Sequence, residues 1–364
     1  MVNIVSIIIV FIIALAVSFV ITPLARKFAL RNNIMAQPGD RMVHTEPTPY
    51  LGGAAIYLAF FAALAVGIYI DRDILYKSIS KLNALFFAST LIVALGLWDD
   101  IKNINPLAKL CSQIAIALFL FIFGFRAEVV TNIFVGGEFH LPLYLSVFIT
   151  VFWYVGMVNA MNLIDGLDGL ASGITVIASG ALIFVSSFLG NYVDILILAA
   201  LAGSALGFLK FNFYPAKIFM GDAGSMLLGL VLASVALLGS QHKAATAVAL
   251  LTPIAALAIP IGDVLIAISR RIIRKQPIFK ADMFHIHHRM LIIGLNQKQI
   301  VLFIYLVTLY LGIFSFLFVL IPDKFALILL ILLALGLSMG IVVIRFVERK
   351  LRYLYRLEER SRNK

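Results

Sequence analysis

The sequence predicts an all-α polytopic integral membrane protein with about eleven transmembrane helices, an external N-terminus and a cytoplasmic C-terminus. Composition is the first reason: of 364 residues, 62% are hydrophobic and 13% charged, and the mean hydropathy is +1.06. Soluble domains carry roughly 25% charged residues, so this chain has about half the charge needed to coat a water-facing surface. Soluble globular and disordered classes are both excluded. The second reason is that the apolar residues form long unbroken runs, which fit helices, and not the ~10-residue alternating segments of a barrel. The third is a one-sided distribution of Lys and Arg between alternate connections.

The runs lie at about 2–24, 51–70, 82–98, 107–125, 141–158, 170–189, 193–209, 224–239, 244–268, 300–320 and 325–345. At ~20 residues per span they consume roughly 220 residues and leave short loops. Residues 1–345 therefore read as a single transmembrane domain and 346–364 as its tail. The first run lacks a basic n-region and a small-residue cleavage site, so it reads as a retained span. The second opens at Gly52 and Gly53, behind a segment stiffened by Pro47 and Pro49. The third ends in Trp98-Asp99-Asp100, and the fourth holds the single cysteine, Cys111, expected in core or lipid-facing packing. The fifth to seventh are joined by very short linkers, and the eighth follows Phe219-Met220-Gly221-Asp222. The tail interleaves Arg349, Lys350, Arg352 and Arg356 with Leu351, Tyr353, Leu354 and Leu357, as an amphipathic helix on anionic lipid or a solvated helical extension would.

Assigning alternate connections to opposite sides puts 23 basic and 12 acidic residues on the cytoplasmic side and six of each outside, so the net charge of +11 lies on the inner face. Lys102 and Lys109 of the third connection count among these inner cations. Orientation and anionic partners explain the excess without nucleic acid. Polar residues sort the same way. Asp99, Asp100, Asn162, Asp165, Asp168, Asp222 and the histidine group come from four connections, all on the cytoplasmic side. One polar site at that membrane boundary is expected.

Five segments carry chemistry. Adjacent carboxylates at Asp99-Asp100 near hydrocarbon demand a cation or a proton. Asn159, Asn162, Asp165 and Asp168 recur every third residue, a slanted polar stripe suited to a magnesium-bound diphosphate or to a nucleotide's hydroxyls and amides. Asp222, which alone could be a helix N-cap, stands among small residues whose backbone N–H groups can meet an anion, and a carboxylate there can bring Mg²⁺ to it. Phe219 beside it suits base stacking or packing. His285-Ile286-His287-His288-Arg289 fits phosphate recognition better than zinc, having no HExxH pattern and no cysteine partner. Arg41 and His44 could meet a phosphate, or simply belong to a loop.

In this order and over about residues 25–295, the segments resemble the polyprenyl-phosphate N-acetylhexosamine-1-phosphate transferases, membrane enzymes that start bacterial glycan pathways on a lipid carrier. The His285-Ile286-His287-His288 form and about eleven spans resemble the branch using UDP-GlcNAc; the UDP-MurNAc-pentapeptide branch typically has three consecutive histidines. Two cations usual in the family are replaced, by Met42 and Tyr50. The resemblance implies transfer of GlcNAc-1-phosphate from UDP-GlcNAc to undecaprenyl or another polyprenyl phosphate at the bacterial inner membrane, releasing UMP. It implies Mg²⁺ (or Mn²⁺) at Asp222, with Asp99, Asp100 and Asp165 as further candidate ligands. Asp99, Asp100 and Asp222 would be catalytic. Asn162, Asp165, Asp168, Asn212 and Phe219 would position the nucleotide. His44, His285, His287, His288 and Arg289 would contact phosphate or sugar. A different UDP-sugar is the nearest alternative, and a homodimer through apolar helices is left open. A secondary transporter, the rival class, would instead place polar groups at the midplane with repeat symmetry, and no internal repeat is visible.

Overall fold

The computed structural model describes residues 3–36, 47–72, 76–131, 138–239, 262, 290–291, 294–321, 325, 328–336 and 338. Within them the chain runs α1 (Ile4–Arg31), β1 (Met35–Ala36), β2 (Thr48–Pro49), α2 (Gly52–Ile70), α3 (Ile79–Lys102), α4 (Pro106–Ile122), β3 (Val129–Thr131), β4 (Glu138–His140), α5 (Leu143–Ile164), α6 (Leu170–Phe188), α7 (Tyr192–Asn212), α8 (Gly221–Gly239) and α9 (Gln297–Leu320). Eight of the helices are long and apolar enough to cross a membrane, and α4, with 17 residues, is a shorter apolar helix. Each coincides with one of the predicted runs. The run at 244–268 and the tail lie outside the described residues, and 325–345 is described only in part. The two antiparallel hairpins, β1 with β2 and β3 with β4, are additions that the apolar pattern did not announce.

Local chemistry sets several helix boundaries. Asn105 caps α4 by accepting the Leu107 N–H at 2.9 Å, and Pro106 occupies the first helical position, where no N–H is needed. A reciprocal capping box between Asn296 and Gln299 starts α9.

At the centre stands α8, buried almost throughout and packed against α2, α3, α5, α6 and α7. Its all-round apolarity is what a core helix requires. The close approaches depend on missing side chains: a Cβ at Gly53 would lie 2.3 Å from the Gly224 nitrogen, and one at Gly96 would lie 2.4 Å from the Ala223 Cα. These contacts pull α2 and α3 onto the first turn of α8. On the other flank α1 buries Ser6, Val10, Ala14, Ser18 and Thr22, a stripe of small and β-branched residues at four-residue spacing. It packs on α7, where the Ser18 hydroxyl donates to the Ser204 carbonyl at 2.7 Å. Small residues permit such backbone proximity where lipid offers no hydrophobic drive between helices.

Candidate active site

Seven segment ends meet at one end of the bundle: the start of α2, the end of α3, the start of α4, the end of α5, the loop into α6, the end of α7 and the start of α8. An up-and-down order brings them together, since alternate helix ends share a side. The loop ahead of α2 is stitched to the loop ahead of α8. Phe219 N–H donates to Pro49 O at 2.9 Å, and Gly52 and Gly53 N–H donate to Phe219 O and Met220 O at 3.0 Å each.

The adjacent acids of α3 take different partners. Asp100 turns toward the α8 N-terminus, where it accepts the Asp222 N–H at 2.8 Å and the Ala223 N–H at 3.4 Å. An anion there satisfies orphan donors and complements the helix dipole. Gly221, at φ +68°, has no room for a side chain beside this carboxylate. Asp99 accepts the Ile104 N–H at 2.6 Å and the Lys109 ammonium at 2.8 Å. The same Lys109 Nζ also bonds the Asp222 carboxylate. Lys109 thus bridges α3 and α8 from the first turns of α4.

Asn162, on the last turn of α5, has its side chain beside the Asp222 carboxylate. Asp165 is half-buried just beyond that helix. Its burial, and then the Asp222, Asp100 and Asp168 carboxylates around it, push its carboxyl well above the usual carboxylate range. Tyr50 faces the same acids. Burial, then Asp100, Asp222 and Asp165, push its phenol up to about 12. The Phe219 ring is tilted against Tyr50 with centroids 6.4 Å apart.

Two expected substrate contacts are engaged in holding the protein together. The Asn212 side chain is buried. Its Oδ1 accepts the Gly169 N–H at 3.1 Å and the Ser172 hydroxyl at 3.2 Å, and its Nδ2 donates to the Ile218 carbonyl at 3.1 Å. Asp168 accepts the Ala216 N–H at 2.9 Å. Both therefore brace the loops around the acids. Tyr305 of α9 reaches the same place, donating to the Gly169 carbonyl at 2.5 Å. His44, His285, His287, His288 and Arg289 lie outside the described residues.

Lys109 is the residue that sequence reasoning missed, having counted it only as a topological cation. The signal was present: an ammonium within an apolar run needs a partner, and unpaired acids stood on a neighbouring connection. Lys109 pairs with Asp99 and Asp222, and the Asp100 and Asp165 carboxylates lie near Asp222, so acids outnumber the paired ammonium among the described residues. Hard oxygen donors in excess of positive charge suit Mg²⁺, which takes one or two carboxylates and completes its shell with water and phosphate oxygens. Among the described residues no three carboxylate, imidazole or thiol groups converge into a closed cage.

Residues 82–240 match the model of the family described as glycosyl transferase family 4. The chain is 38% identical over 305 residues to the probable undecaprenyl-phosphate N-acetylglucosaminyl 1-phosphate transferase of Bacillus subtilis (strain 168), covering 83% of this chain and 82% of that protein. It is 36% identical over 316 residues to the decaprenyl-phosphate N-acetylglucosaminephosphotransferase of Mycobacterium tuberculosis H37Rv, covering 80% and 78%. The phospho-N-acetylmuramoyl-pentapeptide-transferase of Anoxybacillus flavithermus is 30% identical over 307 residues, covering 80% of this chain and 90% of that protein.

Proposed function

The chain belongs to the polyprenyl-phosphate N-acetylhexosamine-1-phosphate transferase family, and on that premise we propose that it transfers GlcNAc-1-phosphate from UDP-GlcNAc to a polyprenyl phosphate. An oxygen of the carrier phosphate bonds to the β-phosphorus of the nucleotide sugar. The bond from that phosphorus to the bridging oxygen breaks, UMP leaves, and polyprenyl-diphosphate-GlcNAc remains. Such a transfer depends on positioning and charge neutralisation.

The observation that carries this reading is the Lys109 ammonium held between Asp99 and Asp222, beside the crowded Asp165. Asp99 lies next to Trp98 and Ile101, exposed at 62% and 55%, with Leu107 exposed on α4. An isoprenoid chain lying on this apolar surface would present its phosphate to Asp99. Lys109 would neutralise charge on that phosphate, and Asn162 would keep Asp222 oriented. Mg²⁺ would be held by Asp222, with Asp99, Asp100 and Asp165 as further candidate carboxylates, and when bound it would supply positive charge to the diphosphate. Asp100 would fix the α8 N-terminus on which Asp222 stands. The histidine and arginine segments at His44 and at His285 to Arg289 would complete phosphate and sugar recognition.

The protein is a multi-pass membrane protein, and its site end would face the cytoplasm, where nucleotide sugars are made. The bacterial inner membrane, an external N-terminus, about eleven spans and a basic tail on the inner leaflet complete the proposal. Purified protein incubated with Mg²⁺, polyprenyl phosphate and separately UDP-GlcNAc, UDP-GalNAc or UDP-MurNAc-pentapeptide should release UMP fastest from UDP-GlcNAc. Release from UDP-MurNAc-pentapeptide alone would move the chain to the other branch.

A further inference from the structure

We propose that the groove between the last turns of α7 and the loop to α8 binds an anionic glycerophospholipid of the surrounding membrane. The open groove has a volume of about 530 Å³; Leu206, Leu209, Phe213 and Pro215 are among its apolar walls, and Lys210 and Lys217 are the cations that line it. Along α7 the residues that escape burial are Val193 near its start and Leu206, Leu209, Lys210 and Phe211 near its end. The groove therefore marks the place where an otherwise central helix comes to the surface, at the boundary where its span ends.

Charge and apolarity together select the occupant. Lys210 and Lys217 are exposed, and among the described residues neither ammonium pairs with a carboxylate. Arg26 of α1 brings a third cation to the loop, its Nε donating to the Lys217 carbonyl at 3.0 Å. A lipid phosphate meets the lysines while the first acyl carbons lie along the apolar walls. A free phosphate would leave those walls wet. A choline lipid brings its own ammonium to the same cations, so it binds less well.

The groove is also connected to the candidate active site. Ala216, inside its loop, donates to Asp168 at 2.9 Å, and a Cβ at Gly169 would lie 3.1 Å from the Phe213 ring. A seated lipid thus steadies the loop that braces Asp168. The proposal rests on the membrane location of the chain and not on the transfer reaction, so a binding readout tests it independently.

Native mass spectrometry of the full chain with phosphatidylglycerol or phosphatidylcholine of matched acyl chains provides that readout. The wild-type protein should retain phosphatidylglycerol over phosphatidylcholine. K210Q/K217Q should lower phosphatidylglycerol occupancy about tenfold, and each single variant about threefold. K210R/K217R should keep it, as should K77Q, which removes the same charge from a different connection. Equal retention of both lipids by the wild type, unchanged retention by K210Q/K217Q, or an equal loss in K77Q would overturn the proposal. Displacement of phosphatidylglycerol by millimolar inorganic phosphate would make the groove a free-phosphate site. Stoichiometric displacement by polyprenyl phosphate would make it a carrier site. Either result also overturns the assignment.

Discussion

Lys109 sets the electrostatic balance of the site, because its one ammonium faces two carboxylates from different helices. Removing it leaves Asp99 and Asp222 opposed without a cation, and a lost preorganised charge at a reacting phosphate costs about 10²-fold or more in rate. K109M should therefore cut UMP release by at least about 10²-fold, measured on protein that elutes as the wild type does. K109R should recover little, since a planar guanidinium does not reproduce a point charge between two acids. D99A and D222A should each abolish transfer while leaving the protein folded. Tyr50 gives a pH prediction. Its phenol is pushed up to about 12, so the protonated form persists across the assay range. Y50F should leave the alkaline limb of the rate profile between about pH 8 and 10 unchanged in shape, and a shift of that limb would place a titrating phenol in the site. At this scale the sequence disclosed the acids but not their division of labour. Asp99 and Asp100 are neighbours of one type, and only the three-dimensional position of the α8 amides makes one a cap and the other a lysine partner. Asn212 reads in the sequence as a nucleotide-positioning amide, and its bonds with Gly169, Ser172 and Ile218, which no sequence pattern marks, tie it to the surrounding loops as well.

Elements were more legible than residues, because continuous apolar runs of helical length leave the backbone one way to satisfy itself in lipid. The run at 107–125 became a 17-residue helix whose start was fixed by Asn105 and Pro106, a boundary that hydropathy alone does not mark. The short β1–β2 pair was hidden for a different reason. Its register, Met35 with Pro49 and Ala36 with Thr48, joins strands of two residues each, too short to carry a periodic signal. What positions the site is the docking of α2 and α3 on the first turn of α8 through Gly53 and Gly96. G96V should force α3 away from Ala223, destabilise the protein by about 1–3 kcal/mol and reduce transfer together with stability, as thermal unfolding and UMP release on one preparation would show. The Asp100 cap predicts a separation of variants. D100N retains an oxygen acceptor for the α8 amides and should unfold near the wild type. D100A loses the acceptor and should cost about 1 kcal/mol.

For the whole molecule, scarce charge and its sidedness belong together. Alternate helix ends gather Asp99, Lys109, Asp165 and Asp222 from four elements at one end. Cys111 is the single cysteine, so a cysteine-free background is one substitution away. In that background N103C, in the connection after α3, should resist a membrane-impermeant maleimide in intact cells, and K77C should react. The reverse pattern would invert the proposed orientation. The central claim is that the phosphate next to the sugar moves with it to the lipid. UDP-GlcNAc carrying ³²P at the β-phosphorus tests this directly when incubated with purified protein, Mg²⁺ and polyprenyl phosphate. The label should pass into the organic-soluble lipid as unlabelled UMP appears. Label left in UDP while the sugar reaches lipid, or no labelled lipid at all, would contradict it.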